Sequence, residues 1–261
     1  MGSRHGGQNW HGCDRGQQPN AIRMGGEPTE MTKIFDLTLP LEDGLPALGR
    51  LARPVIIPHT THDASRKFAQ GTPDDLLTFT TFYMGMLDHT GTHIDALFHN
   101  NPEGATIDEM PVELFMGKAV CLDLRHIPDK GDVTRADMDA AEKAAGVNVD
   151  GHIVLMCTGL NARHWPNETV CNHNPQITAE ATHWLHDRGS KVHGVEGPST
   201  DRVEDNLFVN HRICRDLGMV HYEWLWNLEA VIGVGEFQFQ GIPLRIKGGS
   251  GSPVRALAFV D

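Results

Sequence analysis

The chain has 261 residues and 39% hydrophobic content, enough for one large domain or two small ones with a substantial core. A formal net charge of -12 provides no basic field for phosphate backbones or anionic lipid, which argues against nucleic-acid and membrane partners. No apolar run approaches the roughly 18 residues of a membrane span, and the N-terminus lacks the apolar core of a signal peptide, so a cytoplasmic location is expected.

Residues 1–30 hold seven glycines and almost no aliphatic side chains, a composition that cannot offset the entropy of ordering. A flexible tail is expected there, with a single domain over 31–261 because no repeat or long linker divides the rest. Lys33 to Leu41 (KIFDLTLPL) reads as a short strand entering a turn at Gly44 and Pro46. Further strand-like runs are TFTTFYMGML (78–87), AVCLDL (119–124), HIVLMC (152–157), LRIK (244–247) and VRALAFV (254–260), most of them rich in branched or aromatic residues. Helices are expected from Thr134 to Gly146 and from Thr178 to Gly189, each with a threonine N-cap and a glycine stop. A third runs through VNHRICRDLG to Gly218. Strands separated by a few helices imply a mixed α/β domain. The five cysteines (Cys13, Cys121, Cys157, Cys171, Cys214) are scattered and form no CxxC pair, so reduced thiols, mostly in the core, are expected.

Sixteen histidines make the positions of this residue informative, and DHTGTHIDALFH (88–99) concentrates three of them with two aspartates. His89, His93, Asp95 and His99 are all odd-numbered, so an extended chain turns them to one side, whereas a regular helix separates Asp95 and His99 from the other two. A straight strand would still hold His89 and His93 about 13 Å apart at Cα, too far for two short bonds to one ion. The chain must therefore bend, and Gly91, with no Cβ to restrict the turn or crowd an ion, is the place for it. Thr90 and Thr92 are then free to bond nearby backbone, and Asp88 falls outside the ligand set. Two neutral imidazoles and a carboxylate leave positions for water, the pattern of a catalytic rather than a closed structural site.

These residues resemble the signature H-x-G-T-H-x-D-x-P-x-H of the metal-dependent cyclase family, which includes bacterial kynurenine formamidases and isatin hydrolases; Leu97 stands in place of the usual proline. The resemblance extends over most of residues 33–261. FDLTLPLEDGLP is similar to the opening strand and turn, and VLMCTG (154–159) to the central strand. GVEGPSTD (194–201) resembles G-x-D-x-x-S-x-D, with Glu196 replacing the first aspartate, while His211 and Glu223 match H-x11-E. The tail FQFQGIPLRIKGGSGSPVRALAFV is similar to the terminal Pro-Leu and Gly-Ser-Pro-Val-Arg pattern.

The resemblance implies a swivelling β/β/α cyclase-like domain that assembles as a homodimer or a tetramer. It implies a metal-dependent amidohydrolase that cleaves a C–N bond in a small cyclic amide or aryl formamide, using Zn²⁺ or Mn²⁺ as one or two ions. His89, His93 and Asp95 would hold the catalytic ion, and His211 and Glu223, with Asp95 bridging, a second ion or polar groups facing the first. His99 would transfer protons and Glu223 orient the nucleophile. The competing readings are a lactone hydrolase or cyclase of the same family and a non-catalytic metal- or ligand-binding member, against which His99 argues. LPALGRLARP (45–54) lacks the tryptophan usual in kynurenine formamidases, and residues 56–78 look like an insertion, so an isatin-like cyclic amide fits at least as well as N-formylkynurenine. Trp165, Phe98 and Phe82 are candidates to stack on an aromatic substrate, although core packing is the commoner fate of such residues. KGGSGSPVR lacks the Lys-Ser/Thr ending of a P-loop and reads as a tight glycine-rich connection, and CNHNP (171–175) as a loop with a lone Cys-x-His pair.

Overall fold

The computed structural model describes residues 32–48, 51–72, 75–167, 169–202, 204 and 207–261. The tail expected over residues 1–30 lies outside them. Strands are numbered β1–β13 and helices α1–α5 in chain order; α1 (His62–Ser65) and α3 (Leu160–His164) are short, and β6 (Asp132–Val133) pairs with β8 (Gln176–Ile177) apart from the main sheet. The main sheet has nine, in the order β1 (Lys33–Asp36), β13 (Leu257–Val260), β11 (Phe237–Gln240), β5 (Met116–Asp123), β7 (Ile153–Cys157), β9 (Val192–Val195), β10 (Val220–Glu223), β4 (His93–Asp95) and β12 (Gly251–Pro253). Neighbours from β5 to β10 are parallel, and both flanks are antiparallel.

Alternation along the parallel strands assigns side chains to two cores. Val120, Leu122, Val154 and Met156 face the helical side, where they meet Met138 of α2 (Arg135–Ala145) and Trp184 and Leu185 of α4 (Ala179–Asp187). Cys121, Leu155 and Cys157 face the other way, toward Ile94, Tyr222, Phe237 and Phe239. With both faces covered, β7 reads as an unbroken apolar run, IVLMC, all buried. The helices have the expected ends. Thr134 accepts from Asp137 N and Asp137 answers with a bond from Thr134 N, closing a capping box, and Gly146 takes the left-handed conformation at φ 66°. Thr178 caps α4, and Gly218 stops α5 (Val209–Leu217). Cys121, Cys157, Cys171 and Cys214 are free and buried.

Two expected strands come out differently. Within 78–87 only β3 (Thr81–Gly85) is extended, and it pairs with β2 (Val55–Thr60) in a separate two-stranded ribbon instead of running into the main sheet. The ribbon exposes both faces, with Phe82 55% and Tyr83 59% accessible, so its apolar residues do not mark a core strand. LRIK is not a strand. Ile246 N turns back to Leu244 O, and only Pro243, just before the run, bridges to Val254, because the glycines at 248 and 249 fold the chain before a ladder forms.

Candidate metal centre

β4 is only three residues long, yet it anchors the centre. Its neighbours β10 and β12 pair with it on either side, and the register sets His93 opposite Glu223. The four odd-numbered residues of the motif do not share one extended face as parity suggested. Only His93 and Asp95 sit on β4; His89 precedes a turn through Gly91, and His99 closes a 3-10 turn at Leu97–His99. Gly91 has φ 62°, and a Cβ there would come within 2.7 Å of Leu41 Cδ2, so the reason for glycine is packing against Leu41 as well as backbone conformation. Leu97 leaves the final turn closed, with His99 N bonded to Ala96 O at 3.0 Å.

The bend brings the ligand-type groups together. His89 Nδ1 lies 2.8 Å and His93 Nε2 3.5 Å from Asp95 Oδ1, and His93 Nε2 is 3.5 Å from Glu223 Oε2. His211 Nε2 is 3.8 Å from both Asp95 Oδ2 and Glu223 Oε1, and His99 Nε2 is 3.8 Å from Asp95 Oδ2. All six expected site residues therefore meet at one place. A seventh, His221, was missed: its Nε2 lies 3.3 Å from Asp95 Oδ2 and 3.3 Å from Glu223 Oε1. The available signal was the H-x-E spacing of VHYE, which puts His221 and Glu223 on one face of a strand too short and polar to stand out as one.

Each donor is oriented from behind. His93 Nδ1 contacts Gly91 O at 2.8 Å, so the proton belongs there and the Nε2 lone pair faces inward. His211 N and Nδ1 both bond Asp201 Oδ2, at 3.0 and 2.5 Å, and this carboxylate also takes Asn210 N on Oδ1. Asp88, outside the ligand set, accepts from Ser250 N and Oγ, and Ser250 Oγ meets His89 Nε2 at 3.0 Å, leaving Nδ1 for the centre. The stretch KGGSGSPVR is thus a wall of the site: a Cβ on Gly251 would lie 2.8 Å from His89 Cε1. Thr92 accepts from Leu39 N at 2.8 Å and donates to Trp224 O, tying the motif to the residue that follows β10.

The donor set fits a divalent cation. His93 Nε2, His221 Nε2 and Asp95 Oδ1 are buried without a hydrogen-bond partner among the described residues, a costly arrangement unless something electropositive sits between them. Asp95 Oδ1 receives no aligned hydrogen bond although His89 Nδ1 is 2.8 Å away, an approach that suits two ligands of one ion better than donor and acceptor. Separations of 3.3–3.5 Å match the roughly 3.3 Å between donors around a tetrahedral zinc. Burial alone would raise the Asp95 carboxyl, but His221, His89 and His93 outweigh it and hold the group well below the usual carboxylate range. Burial lowers His99, with His89 and His211 reinforcing the shift against the pull of Asp95, so this ring is neutral at neutral pH.

A cavity of about 310 Å³ opens onto these groups. Its apolar wall includes Pro46, Leu48, Leu51, Leu87, Phe208 and Trp224, so the described residues of 45–54 contribute to the cavity wall without a tryptophan of their own. The aromatic candidates named from sequence lie elsewhere. Trp165 packs edge-on against Trp224 and Trp226, Phe82 is on the exposed ribbon, and Phe98 is outside the cavity lining.

Fold and site define a mixed α/β protein built around a candidate cation centre rich in histidine and carboxylate. The chain belongs to the cyclase family: the Cyclase family model, described as "Putative cyclase", matches residues 35–202. It is similar to the kynurenine formamidase of Salinibacter ruber (strain DSM 13855 / M31), 28% identical over 171 residues that span 65% of this chain and 74% of the relative. Among solved structures, isatin hydrolase A from Labrenzia aggregata bound to benzyl benzoate superposes with a TM-score of 0.73 at 25% identity, covering 88% of this chain and 94% of that one. Isatin hydrolase A from Ralstonia solanacearum gives 0.71 at 26% identity, with 88% and 92% covered.

Proposed function

We propose that the protein is a metal-dependent hydrolase that opens the C–N bond of a small cyclic amide or an aryl formamide. The observation that carries this reading is the cavity itself: an apolar wall that accepts a flat ring, ending at a centre of imidazoles and carboxylates with neutral His99 at its edge. Similarity to kynurenine formamidases and isatin hydrolases supports the same chemistry. His89, His93 and Asp95 would hold one cation, and His211, His221 and Glu223, with Asp95, would hold a second; the imidazole and carboxylate donors suit Zn²⁺ or Mn²⁺. When bound, such a cation acidifies water toward neutral pH and polarises a carbonyl.

The chain's own groups perform the remaining steps. Neutral His99 takes the proton of the attacking water and delivers it to the leaving nitrogen, so one side chain serves as base and then acid. Glu223, which receives Thr200 N on Oε1 at 3.3 Å, orients the water. Trp224 and Phe208 hold the ring and exclude solvent from the reacting carbonyl.

The test pairs metal analysis of the purified protein with a hydrolysis screen over cyclic amides, aryl formamides and lactones. Turnover of an amide by the metal-loaded protein is expected. Turnover of lactones alone, or full metal loading without turnover of any substrate, would replace this reading with a lactonase or a binding protein.

We also infer a homodimer that buries the β2–β3 ribbon, where Ile57, Phe82, Tyr83 and Met84 make an apolar surface that a solitary ribbon leaves in water. Sedimentation equilibrium should give twice the chain mass, and Tyr83→Lys should halve it; an unchanged mass would place the interface elsewhere. Among the described residues no helix is long and apolar enough to cross a membrane, and four buried free thiols support a cytoplasmic location.

A further inference from the structure

On the far side of the loop that supplies Asp201, two glutamates meet with no cation between them among the described residues. Glu196 directly follows β9 and is fully buried. Its Oε2 accepts Gly159 N at 2.5 Å and the Thr158 hydroxyl at 3.1 Å. Its Oε1 has no hydrogen-bond partner among the described residues, and neither has the buried Oε1 of Glu229, in the 3-10 turn Leu228–Val231. The Cys157 thiol and one oxygen of each glutamate lie within 4.8 Å of one another.

Two carboxylates this close, each with one oxygen out of water and without a hydrogen bond, repel unless something positive joins them. The neighbours do not supply it. From the end of β7 and the two residues after it come the Cys157 thiol, the Thr158 hydroxyl and the Gly159 N–H, and from β5 the Cys121 thiol; burial pushes both thiols up, so they stay neutral. The nearby Arg125 guanidinium is held by Asp123 at 2.8 and 2.6 Å, and that of Arg163 by Asp129 at 3.1 Å and by Thr158 O at 2.8 Å. A single proton accounts for both orphaned oxygens, since it turns one into a donor and leaves the other as its acceptor.

We propose that Glu196 and Glu229 form a buried carboxyl–carboxylate pair, with the proton on Glu196 Oε1 donated to Glu229 Oε1, and that this pair positions the 197–201 loop. The proton belongs on Oε1 because Oε2 already accepts two hydrogen bonds. The pair joins the ends of three neighbouring segments: β7 through Thr158 and Gly159, β9 through Glu196, and the chain after β10 through Glu229. The loop between them gives Gly197 O to Trp224 N at 2.8 Å and carries Asp201, the carboxylate that orients His211. Glu196 and Glu229 are therefore positioning residues whose influence reaches the cavity through Asp201.

Burial first, then the charge of Glu229, push the Glu196 carboxyl up to about 7 from an ordinary 4.5. Between those two pH values the folded chain keeps a proton that the unfolded chain has lost. The contribution to stability is therefore complete below about pH 4.5, declines as pH rises toward 7 and then levels off. In that window the unfolding equilibrium constant should carry one proton's dependence from this group, a factor of up to about 10 per pH unit.

The test is denaturant unfolding of the full chain across this window for wild type, Glu196→Gln and Glu229→Gln, with infrared spectra of the wild type labelled at glutamate. The glutamine amide donates in place of the acid, so Glu196→Gln should fold and lose the one-proton component. The wild type should show the carbonyl stretch of a protonated carboxylic acid, absent from Glu196→Gln and titrating at lower pH in Glu229→Gln, where burial acts without the neighbouring charge. Identical pH slopes with no acid band would overturn the pair, and loss of one equivalent of metal in Glu196→Gln would overturn it in favour of a bound cation. The infrared band needs no variant and no substrate, so it decides the point even if a variant fails to fold and whatever the reaction proves to be.

Discussion

His93→Ala is expected to lose both bound metal and turnover, whereas His99→Ala should keep most of its metal and lose turnover by about 10²- to 10⁴-fold. The difference follows from where the two rings stand. His93 is buried on β4 with Nε2 3.5 Å from both Asp95 Oδ1 and Glu223 Oε2, so removing it leaves two carboxylates without the donor between them. His99 is partly exposed at the cavity, and its nitrogen is 3.8 Å from the nearest carboxylate oxygen, near enough to exchange a proton with a water there and too remote to define the centre. Metal content by mass spectrometry and initial rates on a substrate from the screen check both halves. Equal rates for His99→Ala and wild type would remove His99 from the reaction.

Asp201→Asn should weaken metal binding by about 10- to 100-fold, the usual cost of removing a carboxylate that orients a ligating imidazole. Asp201 takes both the backbone N–H and Nδ1 of His211 on Oδ2, and it stays ionised because, although burial opposes the charge, His211 and the first N–H groups of α5 outweigh it. An asparagine amide cannot accept all these bonds in the same orientation, so His211 loses its fixed tautomer. Competition with a chromophoric chelator measures the change. An affinity equal to wild type would show that His211 holds no cation.

Local chemistry is what the sequence makes legible. Capping residues and stopping glycines announce α2, α4 and α5 because those signals act within a single turn of helix. The ligand motif is legible because its donors lie within twelve residues, and Gly91 betrays the bend that straight-strand distances require. Short strands were harder to see. β9 and β10 carry VHGV and VHYE, whose histidines and glycine dilute the apolar pattern although all eight positions are buried. Parity put four residues on one strand, but it could not foresee that hydrogen bonds to β10 and β12 hold only three residues of this segment in the sheet.

The amino-acid sequence by itself determined the chemical character of the centre, two imidazoles and a carboxylate around a glycine bend, because ligand type and spacing are properties of one short segment. Only the tertiary structure decided what surrounds that bend: His221 beside Asp95, Ser250 and Asp88 behind His89, and Asp201 behind His211. The physical reason is strand register. The match of His93 with Glu223 joins segments far apart in the chain, and such pairings are selected by packing across the whole sheet, which no local pattern encodes.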